Sequence, residues 1–331
     1  MELALTWLLI IAFIIIMYIL LDGFTLGVGL LFPLIKEDSE RDIMVTTVLP
    51  VWDGNETWLV FAGAALYGAF PLAFSTLFPI WYIPLMLLIF GLLLRGIAFE
   101  FRLKAHETRR LWDWCLFGGS LMAVIAQGLV IGSFVSGFQF NPATGEAIRK
   151  QWFSGFGLFC ALALIIAYGL LGSARLIKKT SGSLQTKFYK ISAKLQWLLM
   201  LAVIIVGVYS PQSSRLQMRY WFDLQHSAFI LVFLIIMAFL FAIHALAIKN
   251  RFENLPFASL IIIFILAYLA LVTSNLPYLV PNQITFMQAK ADDGALLFML
   301  VGAAILIPVL LFYTAYAYKI FGGKTNEKIS Y

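Results

Sequence analysis

Apolar runs of about twenty residues recur along all 331 residues of this chain, and no water-soluble core could bury them all. The run from Ile230 to Ile248, ILVFLIIMAFLFAIHALAI, shows the pattern. A hydrocarbon layer of roughly 30 Å divided by a helical rise of about 1.5 Å per residue asks for that length. The runs are continuous rather than alternating, so each span satisfies its backbone polar groups within its own helix, and a β-barrel is excluded. Composition agrees: 62% of residues are hydrophobic and 12% are charged, where soluble domains carry about a quarter charged. The opening MELALTWLLI has no basic n-region and no small-residue cleavage site, so it reads as a retained first span.

Setting apolar runs against charges and prolines predicts an all-α polytopic membrane protein, one transmembrane domain over residues 1–331. Nine spans are expected, at 5–34, 50–74, 77–101, 113–138, 153–177, 193–210, 226–248, 256–274 and 294–319. With the N-terminus outside, the cytoplasmic loops and ends collect Lys36, Arg41, Arg102, Lys104, Arg109, Arg110, Arg175, Lys178, Lys179, Lys187, Lys190, Lys194, Lys249, Arg251, Lys319, Lys324 and Lys328. Only Arg149, Lys150, Arg215, Arg219 and Lys290 fall outside, with Arg95 inside a span. That asymmetry puts the C-terminus in the cytoplasm. The net charge of +6 is therefore an orientation signal with anionic-lipid contact, and nucleic acid is not implied.

Cys115 and Cys160 sit at no metal-ligand spacing, so neither a disulfide framework nor a metal site is expected. A membrane haem b usually takes two axial ligands from facing helices. His106 lies in a loop, while His226 and His244 stand eighteen residues apart on one span, near opposite faces, so they cannot share a haem; each could still serve with a Met ligand, but the ten Met residues read more simply as core packing, and no haem is expected on this chain. The pairs Gly23/Gly27 and Gly128/Gly132 have the spacing that lets helix backbones approach closely, read here as bundle packing.

Charges inside lipid cost at least about 2.5 to 3.5 kcal/mol each, so each needs a partner, a water path or a function. Asp22, Asp53, Glu56, Arg95 and Glu100 are the candidates. Fourteen residues separate Asp22 from Lys36, about 21 Å of helix, which places Asp22 deep in the membrane. Asp53 and Glu56 are three apart at the cytoplasmic start of the second span, on one helical face. Arg95 and Glu100 take the cytoplasmic end of the third, as structural ion-pairing residues. Carboxylates running inward from one side, Asp53, Glu56 and then Asp22, form a candidate proton path. The plainer reading pairs Arg95 with Glu56 or another acid and makes Asp53 a helix cap.

Several segments carry a resemblance: LLDGFTLGVGLLFPLI at 20–35, LPVWDGNETWLVFAGAALYGAFP at 49–71 and RGIAFEFRLK at 95–104. With LWDWCLFGGSL, SNLPYLVP and LIPVLLFYTAYAYKIF, they resemble subunit II of the cytochrome bd-type quinol oxidases, including the cyanide-insensitive branch, nearly end to end. The resemblance implies two four-helix bundles plus a peripheral helix, and a heterodimer with a similarly folded subunit I, with room for a small accessory subunit. It implies that the partner holds the b and d haems and oxidises quinol on the outer side, while this chain binds none. It further implies reduction of dioxygen to water with protons drawn from the cytoplasm, in the bacterial inner membrane. A structural quinone is bound in some members, on no residue pattern that carries over. The Asp of the WDGN motif, thought to belong to a proton path, corresponds to Asp53. Thr25 stands where the family usually has a second acid. Two other readings compete: a proton-coupled transporter, against which no inverted repeat is visible, and a purely structural assembly subunit.

Overall fold

The computed structural model describes residues 2–140, 151–213 and 224–325, with side chains described outside 210–229. Arg149, Lys150, Arg215, Arg219 and Lys328 lie outside the described residues, as does the side chain of His226. The helices run α1 Glu2–Leu31, α2 Asp38–Val48, α3 Trp52–Ala69, α4 Pro71–Ile80, α5 Tyr82–Lys104, α6 Arg109–Ser136, α7 Gly155–Lys179 and α8 Gly182–Ser213. They continue with α9 Leu224–Lys249, α10 Leu255–Asn275, the short α11 Phe286–Ala289 and α12 Asp293–Ile320. A small hairpin, β1 Tyr278–Val280 with β2 Ile284–Thr285, precedes α11.

Eight helices among the described residues are long and apolar enough to cross a membrane. The second expected span, 50–74, is instead broken. Helix α3 ends at Ala69, Phe70 leaves helical geometry at φ −133°, ψ 63°, and Pro71 opens α4. Proline at the first turn starts a helix but cannot continue one. The third span begins at Tyr82, after Trp81 separates it from α4. A further helix, α2, lies between the first two expected spans, over the charged segment DSERDIMVTTV. It buries Met44 and Val45 with Val48 one helical turn further on, a single apolar face.

Helices α1, α3, α5 and α6 form one bundle, and α7 to α10 close a second, each packed on the next. The bundles join where α7 lies along α1 and α6. At that seam the glycines make backbone contact. A Cβ on Gly27 would lie 1.8 Å from the Tyr168 carbonyl oxygen, and one on Gly132 would lie 2.5 Å from Gly157 Cα. Helix α12 is peripheral and buries only Leu296 and Ala303 fully. It is anchored by Tyr318, whose ring lies 5.2 Å from the Arg175 guanidinium, a cation also flanked by Phe24 and Phe257.

The basic loops meet at one end of the molecule. Lys187 pairs with Glu40 at 2.5 Å and Lys324 with Glu253 at 2.5 Å, tying α2 to α8 and the tail to the loop after α9. The hairpin, α11 and the Trp152 region cover the other end, where Ala291 N–H donates to the Ala69 carbonyl at 2.9 Å.

Candidate functional site: a buried charge network in the first bundle

The buried stripe of α5 runs Leu88, Leu92, Arg95, Phe99, Arg102, a helical repeat that directs two arginines into the bundle. Arg95 and Asp22 are both 0% exposed. Arg95 Nη2 lies 2.9 Å from Asp22 Oδ1 and also bonds Glu56 Oε1. Its Nη1 donates to Thr25 Oγ1 at 2.9 Å, and the Thr25 hydroxyl in turn donates a hydrogen bond to Asp22, whose carbonyl oxygen is 2.8 Å away. One guanidinium therefore serves two carboxylates, with a hydroxyl at the position of the missing second acid.

Pro33 ends α1 in a single 3₁₀ turn, leaving nine residues from Asp22 to Leu31, about 14 Å of helix. Arg95 is correspondingly deeper than the span end, nine residues before Lys104. The two stand level for that reason. Helix α3 is held in register by Asn55, which donates from Nδ2 to the Leu21 carbonyl at 2.8 Å and accepts from Tyr318 Oη at 3.1 Å.

Asp53 and Glu56 share α3 but not an environment. Glu56 turns inward with its side chain 22% exposed, whereas Asp53 is exposed on the outer side. Val51, not Asp53, is the N-cap of α3, and no side chain caps that helix; the first-turn carboxylate still complements the helix dipole. Glu100 is also outside the network: its side chain is 57% exposed and lies 4.0 Å from Lys104.

Two further groups were not singled out from the sequence. One turn before Asp22, Tyr18 accepts from Gln127 Nε2 at 2.9 Å, and Tyr168 donates to Gln127 Oε1 at 2.9 Å, linking α1, α6 and α7. The second lies at the basic end. Arg102, 0% exposed, bridges Asp42 and Asp113 at 2.5 Å each. Arg109 reaches Asp42 at 2.8 Å, and Arg41 reaches Asp113 at 2.6 Å. The seven-residue step from Arg95 to Arg102 is the signal that could have revealed it.

Among the described residues, no two histidines are brought together as a pair of haem ligands. His106 is exposed in a bend, and His244 is 0% exposed with its Nδ1 3.1 Å from the Pro256 carbonyl oxygen and from Ser259 Oγ. No group of three or more His, Cys, Asp or Glu is placed to hold a metal among the described residues.

The model of one family, described as cytochrome bd terminal oxidase subunit II, matches residues 3–321. This chain belongs to that family. Subunit II sequences that resemble it include the cytochrome bd-I ubiquinol oxidase subunit 2 of Escherichia coli strain K12, 27% identical over 366 aligned positions, covering 98% of this chain and 95% of that protein. A probable cytochrome oxidase subunit 2 of Haemophilus influenzae is 32% identical over 211 residues, 61% of this chain and 56% of that protein. A chain in the solved bd oxidase of Geobacillus thermodenitrificans shares the fold, with a TM-score of 0.78 at 17% identity over 97% of this chain and 99% of that one. The two-bundle arrangement is thus a subunit II fold, and the Arg95 network lies in its first bundle.

Proposed function

We propose that this subunit II pairs with a haem-bearing subunit I in a quinol-oxidising, dioxygen-reducing complex of the bacterial cytoplasmic membrane, and that Glu56 and Asp22 carry protons toward that partner. The names of the E. coli and Geobacillus relatives support the oxidase reading. In this reading the haems belong to the partner, as the resemblance of the sequence to the family implies. The charge asymmetry of the loops supports an outer N-terminus and a cytoplasmic C-terminus.

One observation carries the proton role: half-buried Glu56 joins the open side of α3 to sealed Asp22 through a single arginine. Two carboxylates facing one guanidinium reach neutrality with one proton between them, and a buried site favours neutrality. Such a pair can accept and release a proton without stranding a net charge. On the open side, Asp53, Thr57, Val60, Ala64 and Tyr67 line one exposed stripe of α3. A carboxylate facing bare lipid is costly, so this stripe suits contact with subunit I, with Asp53 at its wetter end.

The test is Glu56→Gln in the purified complex. Turnover is expected to fall by at least about tenfold with the haem spectrum unchanged. Normal turnover ends the proton role, and joint loss of haem and turnover leaves subunit II a scaffold.

A further inference from the structure

The second bundle contains a polar layer that the Arg95 network does not use. His244, on α9, is 0% exposed. Its Nδ1 is 3.1 Å from the Pro256 carbonyl oxygen and 3.1 Å from Ser259 Oγ, and the Ser259 hydroxyl itself donates to Pro256 O at 3.0 Å. A carbonyl oxygen only accepts, so the ring proton belongs on Nδ1. Nε2 of the neutral ring is then a bare lone pair, and this buried atom has no partner. On α8, Gln196 is 3% exposed, and its Oε1 is likewise buried without a partner.

Two registers bring these residues to similar depths. Tyr189 on α8 donates to the Arg251 carbonyl just past α9, at 3.0 Å. Gln196 lies seven residues on from Tyr189, and His244 lies five residues before the end of α9 at Lys249, on antiparallel neighbours, so both stand about one and a half to two turns in from that end of the bundle. Independently, Arg175 sits over Phe257 and Tyr168 stacks on Phe264, which sets Ser173 of α7 opposite Ser259 of α10. Ser173 in turn bonds Ser192 at 2.6 Å, one turn before Gln196. Ser173, Ser192, Gln196, His244 and Ser259 thus share one region of the bundle.

Nε2 and Oε1 both accept hydrogen bonds, and neither can satisfy the other while the ring is neutral. Leaving two acceptors unmet in a bilayer is unfavourable. The geometry points to a bound water molecule between His244 and Gln196, donating one hydrogen to Nε2 and the other to Oε1. Water has the two donors and the small size that a close-packed helix layer demands. The site lies in a different bundle from Arg95, and it stands whether or not Glu56 carries protons.

Two measurements test it on the intact oxidase complex. A cryo-electron microscopy map at a resolution that shows ordered water should contain a peak within hydrogen-bond distance of both atoms, and Gln196→Leu should abolish it. Direct contact of Nε2 with Oε1, or apolar atoms filling the space, overturns the proposal, and the wild-type map decides this even if the variant does not assemble. In solid-state NMR with ¹⁵N-histidine, the signal missing from His244→Gln should show a protonated Nδ1 and a bare, hydrogen-bonded Nε2. A protonated Nε2 on a neutral ring overturns it equally.

Discussion

Asp22 and Arg95, 73 positions apart in the chain, meet at 2.9 Å with neither side chain reaching the surface. Each explains how the other is tolerated, because a lone charge at that depth would have to be neutralised or exposed. Arg95 also holds Glu56, so its removal strands two acids rather than one.

Arg95→Met is expected to destabilise subunit II by about 3–5 kcal/mol, the usual cost of breaking a buried pair from one side. Haem recovered per milligram of purified complex should drop with the midpoint of thermal unfolding. Adding Asp22→Leu and Glu56→Gln should restore part of that stability, since an apolar replacement of a whole buried group costs little. No recovery in the triple variant would mean the network does more than cancel charge.

Asp53→Asn should change thermal stability by less than about 0.5 kcal/mol, because Asp53 is exposed and forms no capping bond. Its effect on turnover should be smaller than that of Glu56→Gln, which lies nearer the sealed acid. Steady-state oxygen consumption of the two variants side by side checks the order.

Gly27→Ala places a methyl 1.8 Å from the Tyr168 carbonyl oxygen, and the α1–α7 backbones must separate to admit it. A loss of about 1–3 kcal/mol or more is expected, read as reduced yield of assembled complex. Gly118→Ala is the control, since a Cβ there meets nothing within 4 Å.

The tail clasps α12 to the second bundle. Buried Lys179 donates to the Phe321 and Gly323 carbonyls, and Lys324 with Gln185 grips Glu253. Lys179→Met should speed limited proteolysis of the C-terminal tail several-fold. Those hydrogen bonds hold the Glu253 carboxyl below its ordinary 4.5. A lowered carboxylate stabilises above its unfolded value and stops doing so as pH falls through its folded one. Proteolysis should therefore accelerate below about pH 4.5 in wild type and change less across that range in Glu253→Gln.

The spans and the need for partners at Asp22, Glu56 and Arg95 were legible because hydropathy and charge cost are properties of single residues against lipid. Helix α2 was not, since its charges mask three buried apolar positions, and the Arg102 bridge stayed hidden with it. The opposite fates of Asp53 and Glu56 were also unreadable. Three residues apart on a helix, they lie about 60° apart in azimuth, and one turns inward only because of how α3 is rotated.

By itself, then, the order of residues decided that this chain spans a membrane many times, which end gathers its basic residues, and that a handful of charges would have to find company. Which charges meet was decided by tertiary structure alone. Helix rotation and register come from remote contacts, such as Gly27 against the Tyr168 carbonyl and Asn55 against Leu21. A carboxylate three residues along the same helix faces outward or inward according to those contacts, and no local pattern encodes them.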